Sequence, residues 1–115
     1  MNKDIAQGIF SLITIGVEYK DWQSIELNYK ADEARSRYSG SYQTPEGEKF
    51  LRLRHLSSDE QTELGELLET LRKETQEVGK EYFTHCTLRY TSDGEFNITY
   101  DYDPIDWSLT VKKIA

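Results

Sequence analysis

The stretch from Ser57 to Gly79 constrains the fold most strongly, because its pattern fits one long amphipathic helix. Side chains suited to one buried stripe recur there at spacings of three and four residues. The stripe consists of Leu64, Leu67, Leu68, Leu71, Thr75 and Val78. Ser58 and Gln61 have the spacing of a capping box, and Gly79 is suited to a left-handed C-cap. The rest of the chain is expected to be organised around this helix.

A band of carboxylates runs beside the buried stripe of the predicted helix. At about 100° per residue, the band contains Asp59, Glu63, Glu66, Glu74, Glu77 and Glu81. Like charges three or four residues apart destabilise a helix by about 0.2–0.5 kcal/mol per pair, so helix stability does not explain the arrangement. Two interpretations remain open: a solvated face that keeps the protein in solution, and an anionic surface for a basic partner.

The remaining elements predict an α+β fold, an antiparallel sheet of five to six strands with two helices packed on one face. All 115 residues are expected to form a single domain. Hydrophobic periodicity and turn residues set the expected boundaries. The predicted elements are a first helix from Asn2 to about Ile15, strands over residues 22–31, 33–42 and 50–56, a turn over residues 45–47, a hairpin over residues 82–103, and a short tail strand from Ile105.

The turn of the hairpin can be chosen by its effect on the register. A two-residue Asp93-Gly94 loop would place Tyr90 opposite Asn97 and mix apolar and polar side chains on both faces. A three-residue loop over residues 92–94 places Tyr90 opposite Phe96, which keeps the apolar set on one face. The second register is therefore expected, with Gly94 in the left-handed bulge position.

Composition excludes several classes of function. Lys and Arg number 14 and Asp and Glu number 21, a net charge of −7 that disfavours direct binding of nucleic acid. Such a chain can still bind a protein that binds nucleic acid. The single cysteine, Cys86, excludes an internal disulfide and fits a reducing compartment. No signal peptide is evident and the apolar run over residues 9–17 is too short to span a bilayer, so a cytoplasmic location is expected.

No catalytic constellation is evident, so the chain is not expected to be an enzyme. His55 and His85 have no metal-ligand spacing, and no metal or cofactor is expected. In the preferred register His85 faces Asp101, but such a pair is more often a surface contact than a catalytic dyad. A basic stripe for RNA on the open face of the sheet is a further alternative, which the net charge disfavours. Its members would be Arg35, Arg37, Arg52, Arg54 and Arg89.

Alternating tyrosines and carboxylates near the C-terminus suggest a binding rim. Tyrosine is favoured at interfaces and aspartates attract a basic partner, although core tyrosines with solvated aspartates would give the same pattern. The candidate partner-binding residues are Asp101, Asp103, Asp106, Tyr102 and Trp107, together with Glu63, Glu66 and Glu77 of the helix band. The C-terminal set ranks above the helix band, because its aromatic residues can act as anchors while isolated charges mainly tune association rates.

The segment LRYTSDGEFNITYDYDPID, after a long acidic helix that ends before Tyr82, resembles the YezG-like immunity proteins. The shared features are the Asp93-Gly94-Glu95-Phe96 turn and the Tyr100-Asp101-Tyr102 ending. The resemblance implies a cytosolic antitoxin that neutralises a cognate bacterial toxin, often a nuclease, by binding its toxic domain, and it brings no catalytic residues. An adaptor between proteins, unrelated to toxins, is the alternative.

Overall fold

The computed structural model describes residues 3–76, 81–105 and 107. They form two helices and a five-stranded antiparallel sheet, which confirms the α+β class. The helices are α1 (Lys3–Ile13) and α2 (Ser58–Glu74), and the strands are β1 (Ser24–Ala31), β2 (Ser36–Thr44), β3 (Gly47–Phe50), β4 (His85–Thr91) and β5 (Phe96–Asp101). Backbone contacts group these elements into two compact units. Both helices belong to the first unit and all five strands belong to the second.

In the helical unit, α1 buries Ile5, Ile9, Leu12 and Ile13 and continues as a short 3-10 helix, Thr14–Gly16. This agrees with the expected helix to about Ile15. The two helices approach closely at Gly8, where an added Cβ would lie 3.2 Å from a methyl carbon of Leu67. The end of the 3-10 helix is fixed by the amide of Arg52, which donates to the carbonyl of Gly16 at 2.9 Å.

Helix α2 begins with a capping box, but one residue earlier than predicted. The amide of Glu60 donates to the Ser57 hydroxyl at 3.1 Å, and the Ser57 amide donates to the Glu60 carboxylate at 2.8 Å. The predicted Ser58 and Gln61 pair is therefore wrong, because the Gln61 side chain donates to the carbonyl of Leu56 instead. Buried Leu64, Leu68 and Leu71 confirm the centre of the stripe.

The helix also ends earlier than the sequence pattern predicts. Its last residue is Glu74, and Thr75 serves as the C-cap with its hydroxyl donating to the carbonyl of Leu71 at 2.8 Å. The same hydroxyl lies 3.2 Å from the carbonyl of Arg72, one of the last carbonyls of the helix, and so helps to satisfy its terminus. The predicted caps Asn2 and Gly79, the stripe residue Val78 and the predicted tail strand beyond Trp107 lie outside the described residues.

The sheet has the order β3-β2-β1-β4-β5, so β1 is its central strand. Ile25, Leu27 and Tyr29 alternate along β1 and are buried, as predicted. Strand β2 starts later than expected because Asp32 accepts the amides of Ala34 and Arg35, both at 2.8 Å, and forms a turn there. The predicted turn between β2 and β3 is confirmed.

The predicted strand over residues 50–56 is wrong in its position. Strand β3 ends at Phe50, and residues 53–55 form a 3-10 helix. The amide of Leu51 still donates to the carbonyl of Gly40, but the next amide, that of Arg52, donates to Gly16. Arg52 and Arg54 therefore belong to no strand of the sheet, and the Arg52 guanidinium lies 3.8 Å from the Glu18 carboxylate.

The hairpin register is confirmed: Tyr90 faces Phe96 and Leu88 faces Ile98. Gly94 has a φ of 93°, the left-handed conformation expected for the three-residue loop. Continuing the alternation of the hairpin back from His85 would place Phe83 on the opposite face to His85's neighbour Cys86, among the polar side chains, but Phe83 is buried. It precedes β4, so the alternation does not apply to it.

Substituting Gly40 tests how tightly the sheet is packed. A Cβ at this position would lie 2.4 Å from a methyl carbon of Leu51 and 2.6 Å from the carbonyl oxygen of Glu26. We expect Gly40→Ala to lower the free energy of unfolding by about 1–3 kcal/mol, measured by urea denaturation. Gly65→Ala in α2 is the matched control, because nothing lies within 4 Å of the added carbon. It should raise the stability by up to about 1 kcal/mol, and an equal loss in both variants would contradict the packing argument.

Candidate partner-binding surfaces

One face of the sheet carries polar side chains, since these alternate with the buried ones. A row of ionisable side chains crosses four strands there: Arg37 faces Lys30, Lys30 faces His85, and His85 faces Asp101. The predicted juxtaposition of His85 and Asp101 is therefore present in the register. The ring Nδ1 of His85 lies 3.0 Å from the Thr84 hydroxyl.

The end of β5 brings the main C-terminal candidates together. The Asp101 carboxylate accepts the amide of Asp103 at 2.8 Å, and this bond is the largest cause that holds the pKa of Asp101 below its usual range. The Thr84 hydroxyl donates to the carbonyl of Asp101 at 3.1 Å and also reaches the carbonyl of Asp103. Asp101, Tyr102 and Asp103 are all exposed, and Tyr102 is 50% exposed. Asp106 lies outside the described residues.

Trp107, the other aromatic candidate, is half-buried against its own chain. Its indole nitrogen donates to the Asp32 carboxylate at 2.9 Å. Three cationic groups lie near its ring centroid, those of Lys30 at 5.3 Å, Arg35 at 4.8 Å and Arg37 at 5.8 Å. These distances fall within the range of cation–π attraction. A contact between Trp107 and a partner stays a prediction.

Sequence reasoning did not find this Trp107 cluster. Asp32 and Trp107 are 75 residues apart, and no local pattern connects them. The Asp32 carboxylate accepts the amides of Arg35 and Ala34 as well as the indole, and these bonds lower its pKa, with the Arg35 amide the largest cause. The cluster gathers cations over β1 and β2, whereas the acidic end of β5 lies at an edge strand.

The helix band is exposed in the helical unit. Asp59, Glu63, Glu66 and Glu74 are all exposed to solvent. The ion pair found along α2 joins two other residues, Glu69 and Lys73, at 3.8 Å. Among the described residues no ion pair involves Glu63 or Glu66, so their charges face solvent. Glu77 lies outside the described residues.

The remaining reactive groups are not arranged as a catalytic site. Within residues 3–76, 81–105 and 107, no three His, Cys, Asp or Glu side chains cluster as metal ligands do. Cys86 is buried, and burial raises the pKa of its thiol to about 12, which suppresses the reactive thiolate. None of the described helices combines the length and apolar character needed to cross a membrane.

The family model for YezG-like immunity proteins matches residues 3–113, nearly the whole chain. The chain belongs to the YezG-like immunity protein family. No curated protein sequence matches it. Membership in the family makes this immunity protein a non-enzymatic protein whose partner is a cognate toxin, which agrees with the resemblance in the Asp93–Tyr102 region.

The bonds to Asp32 lead to a prediction about pH. Because the pKa of Asp32 is lowered in the folded protein, its contribution to stability is present above the pKa of the unfolded chain. That contribution is lost as pH falls through the folded value. We expect urea midpoints to fall less between pH 7 and pH 3 in Asp32→Asn than in the parent protein. Glu33→Gln removes a neighbouring charge and serves as the control; an equal pH dependence in all three proteins would contradict the assignment.

Proposed function

We propose that this immunity protein neutralises a toxin whose active domain is a nuclease, by covering the cleft in which that domain binds nucleic acid. A nuclease cleft is basic, because it neutralises phosphates. Carboxylates on the immunity protein therefore suit the same cleft and exclude the substrate. The toxin's activity and the cytoplasmic site of neutralisation are part of this proposal, as is the action of the whole chain as one binding domain.

The observation that carries the proposal is the exposed acidic end of β5. Asp101 and Asp103 flank Tyr102, which is half exposed, and hydrogen bonds from the Thr84 hydroxyl to the carbonyls of Asp101 and Asp103 fix this segment. At this surface the carboxylates can steer a basic partner and the Tyr102 ring can contact it. Hydrogen bonds already order the segment before the partner binds. Interfaces commonly draw most of their energy from such aromatic residues.

The net charge supports a protein partner over nucleic acid. At −7 the chain repels phosphates, while it attracts a cationic cleft from beyond contact distance. The Debye length is about 10 Å at 0.1 M salt, so the attraction between exposed charges should weaken as salt is added. The adaptor alternative gains no support from a particular contact, whereas family membership directly favours a toxin partner.

We expect neutralising the C-terminal carboxylates to harm protection more than neutralising the helix band. The first variant changes Asp101, Asp103 and Asp106 to Asn, and the second changes Glu63, Glu66 and Glu77 to Gln. The first should slow association with the toxin domain by about tenfold at low salt and reduce protection in a growth assay. The second variant should reduce the association rate and the protection by less than the first.

The controls for this pair of variants are folding and ionic strength. Circular dichroism should show both variants folded, because surface substitutions usually change stability by no more than about 0.5 kcal/mol. The difference in association rate should shrink in high salt. Loss of protection in the helix variant alone would show that the two surfaces are ranked in the wrong order, and rates insensitive to salt would refute electrostatic steering.

A further inference from the structure

Within the part of the chain that the structure describes, β5 lies at an edge of the sheet. In the sheet order β3-β2-β1-β4-β5, no described element pairs with the side of β5 that faces away from β4. All of its residues are exposed except Ile98, which is half-buried. Such an edge is a template for another strand, and proteins usually protect it.

The register identifies which backbone groups face outward. The amide of Thr91 donates to the carbonyl of Glu95 at 2.9 Å, which sets the phase of the antiparallel ladder. Pairs alternate along such a ladder, so every second residue after Glu95 turns its amide and carbonyl toward β4. The amides and carbonyls of Phe96, Ile98 and Tyr100 therefore point away from the sheet, at the spacing that an added strand needs.

Two aromatic side chains of β5, those of Phe96 and Tyr100, remain partly exposed. The ring of Phe96 lies 4.8 Å from that of Tyr90, and the ring of Tyr100 lies 5.2 Å from that of Phe83, as distances between centroids. Phe96 and Tyr100 thus each pack against an aromatic neighbour, yet each residue remains 37% exposed. An added strand would cover the exposed part of both rings, which gives affinity beyond the main-chain hydrogen bonds.

Charge determines which strand can bind there. Residues 93–103 contain four carboxylates, two before the strand and two at its end, and no Lys, Arg or His. The four are Asp93, Glu95, Asp101 and Asp103. If a second copy paired antiparallel through β5, the acidic start of one strand would lie beside the acidic end of the other. A strand with cations at its ends would instead find an opposite charge at each end.

The opposite edge of the sheet, formed by β3, is less suited to binding an added strand. Strand β3 spans only four residues, Gly47–Phe50, and carries Lys49. Short edge strands and edge lysines are common ways to prevent strand addition. The contrast between the two edges favours β5 as the one open to a partner.

We propose that the outer edge of β5 accepts a β-strand from the toxin domain, one with Lys or Arg at both ends. This inference rests on the proposed function, and it specifies how the acidic segment engages the toxin. The main chain of the immunity protein would provide the hydrogen bonds, and the carboxylates at the two ends would select a basic strand over a second copy.

Hydrogen exchange resolved at single amides tests directly whether a toxin strand pairs with the outer edge of β5. The probe is a catalytically inactivated form of the cognate toxin domain, mixed with the unaltered immunity protein. In the complex, the amides of Phe96, Ile98 and Tyr100 should exchange at least about tenfold more slowly than in the free protein. The amides of Asn97 and Thr99, already bonded to β4, should change less.

Several outcomes would overturn the inference. Binding of the toxin domain with unchanged exchange at Phe96, Ile98 and Tyr100 would refute strand addition while leaving the proposed function intact. Protection of these three amides in the free protein that grows with its concentration would assign the edge to a second copy. Absence of any binding to the toxin domain would refute the proposed function, and the inference with it.

Two variants provide an independent test. Ile98→Pro removes one outward amide and keeps the inward bonds to β4, so it should weaken binding by at least about tenfold. If that variant does not fold, Glu95→Lys decides, because it reverses a charge beside the edge without altering the main chain, and a comparable loss is expected. Glu46→Lys makes the same charge change in the turn before β3 and should bind normally. Equal loss in both lysine variants would refute the local role of the edge.

Discussion

The pairing of β1 along both of its edges is the interaction on which the sheet depends. Ile25 faces Tyr42 on one side and Tyr90 on the other, and Leu27 faces Gly40 and Leu88. A shift of one residue would move every buried side chain to the polar face, so burial fixes the register of both neighbours. Gly40 matters here because any side chain would collide with Leu51 and with the β1 backbone. The position of β5 at the edge follows from this central pairing.

Much of the sheet could be predicted because strict alternation and turn chemistry act locally. The choice between two loop lengths was decided by whether Tyr90 met Phe96 or Asn97, and the structure has the predicted pair with Gly94 left-handed. The centre of α2 was equally predictable from its leucines. The family assignment agrees with the resemblance that the hairpin suggested.

The errors arose where a single hydrogen bond decides between similar patterns. LRLRH alternates as a strand does, yet the amide of Arg52 bonds to Gly16 and the chain turns into a 3-10 helix. Ser57 and Ser58 are both suitable caps, and Glu60 selects the first by reaching back to its amide. The bond from Trp107 to Asp32 joins distant parts of the sequence, so no periodicity reveals it.

Among the described residues, β5 and its end combine three properties: main-chain groups with no strand beside them, partly exposed aromatic rings and several exposed carboxylates. Each has a cost or a risk for an isolated protein, since open edges invite aggregation and like charges repel. A partner that supplies a strand and positive charge would cover the open edge and reduce the repulsion between the carboxylates. The absence of Lys, Arg and His from residues 93–103 fits a surface kept for such a partner.

A titration of nuclease activity tests most directly whether this protein covers a nuclease cleft. The purified cognate toxin domain would be assayed on DNA and on RNA with increasing amounts of the immunity protein. If the cleft is covered, cleavage should fall to background as the complex saturates, and substrate added first should delay the inhibition. Undiminished cleavage by the saturated complex, or a toxin domain that cleaves neither nucleic acid, would contradict the claim that this protein acts by occluding a nuclease.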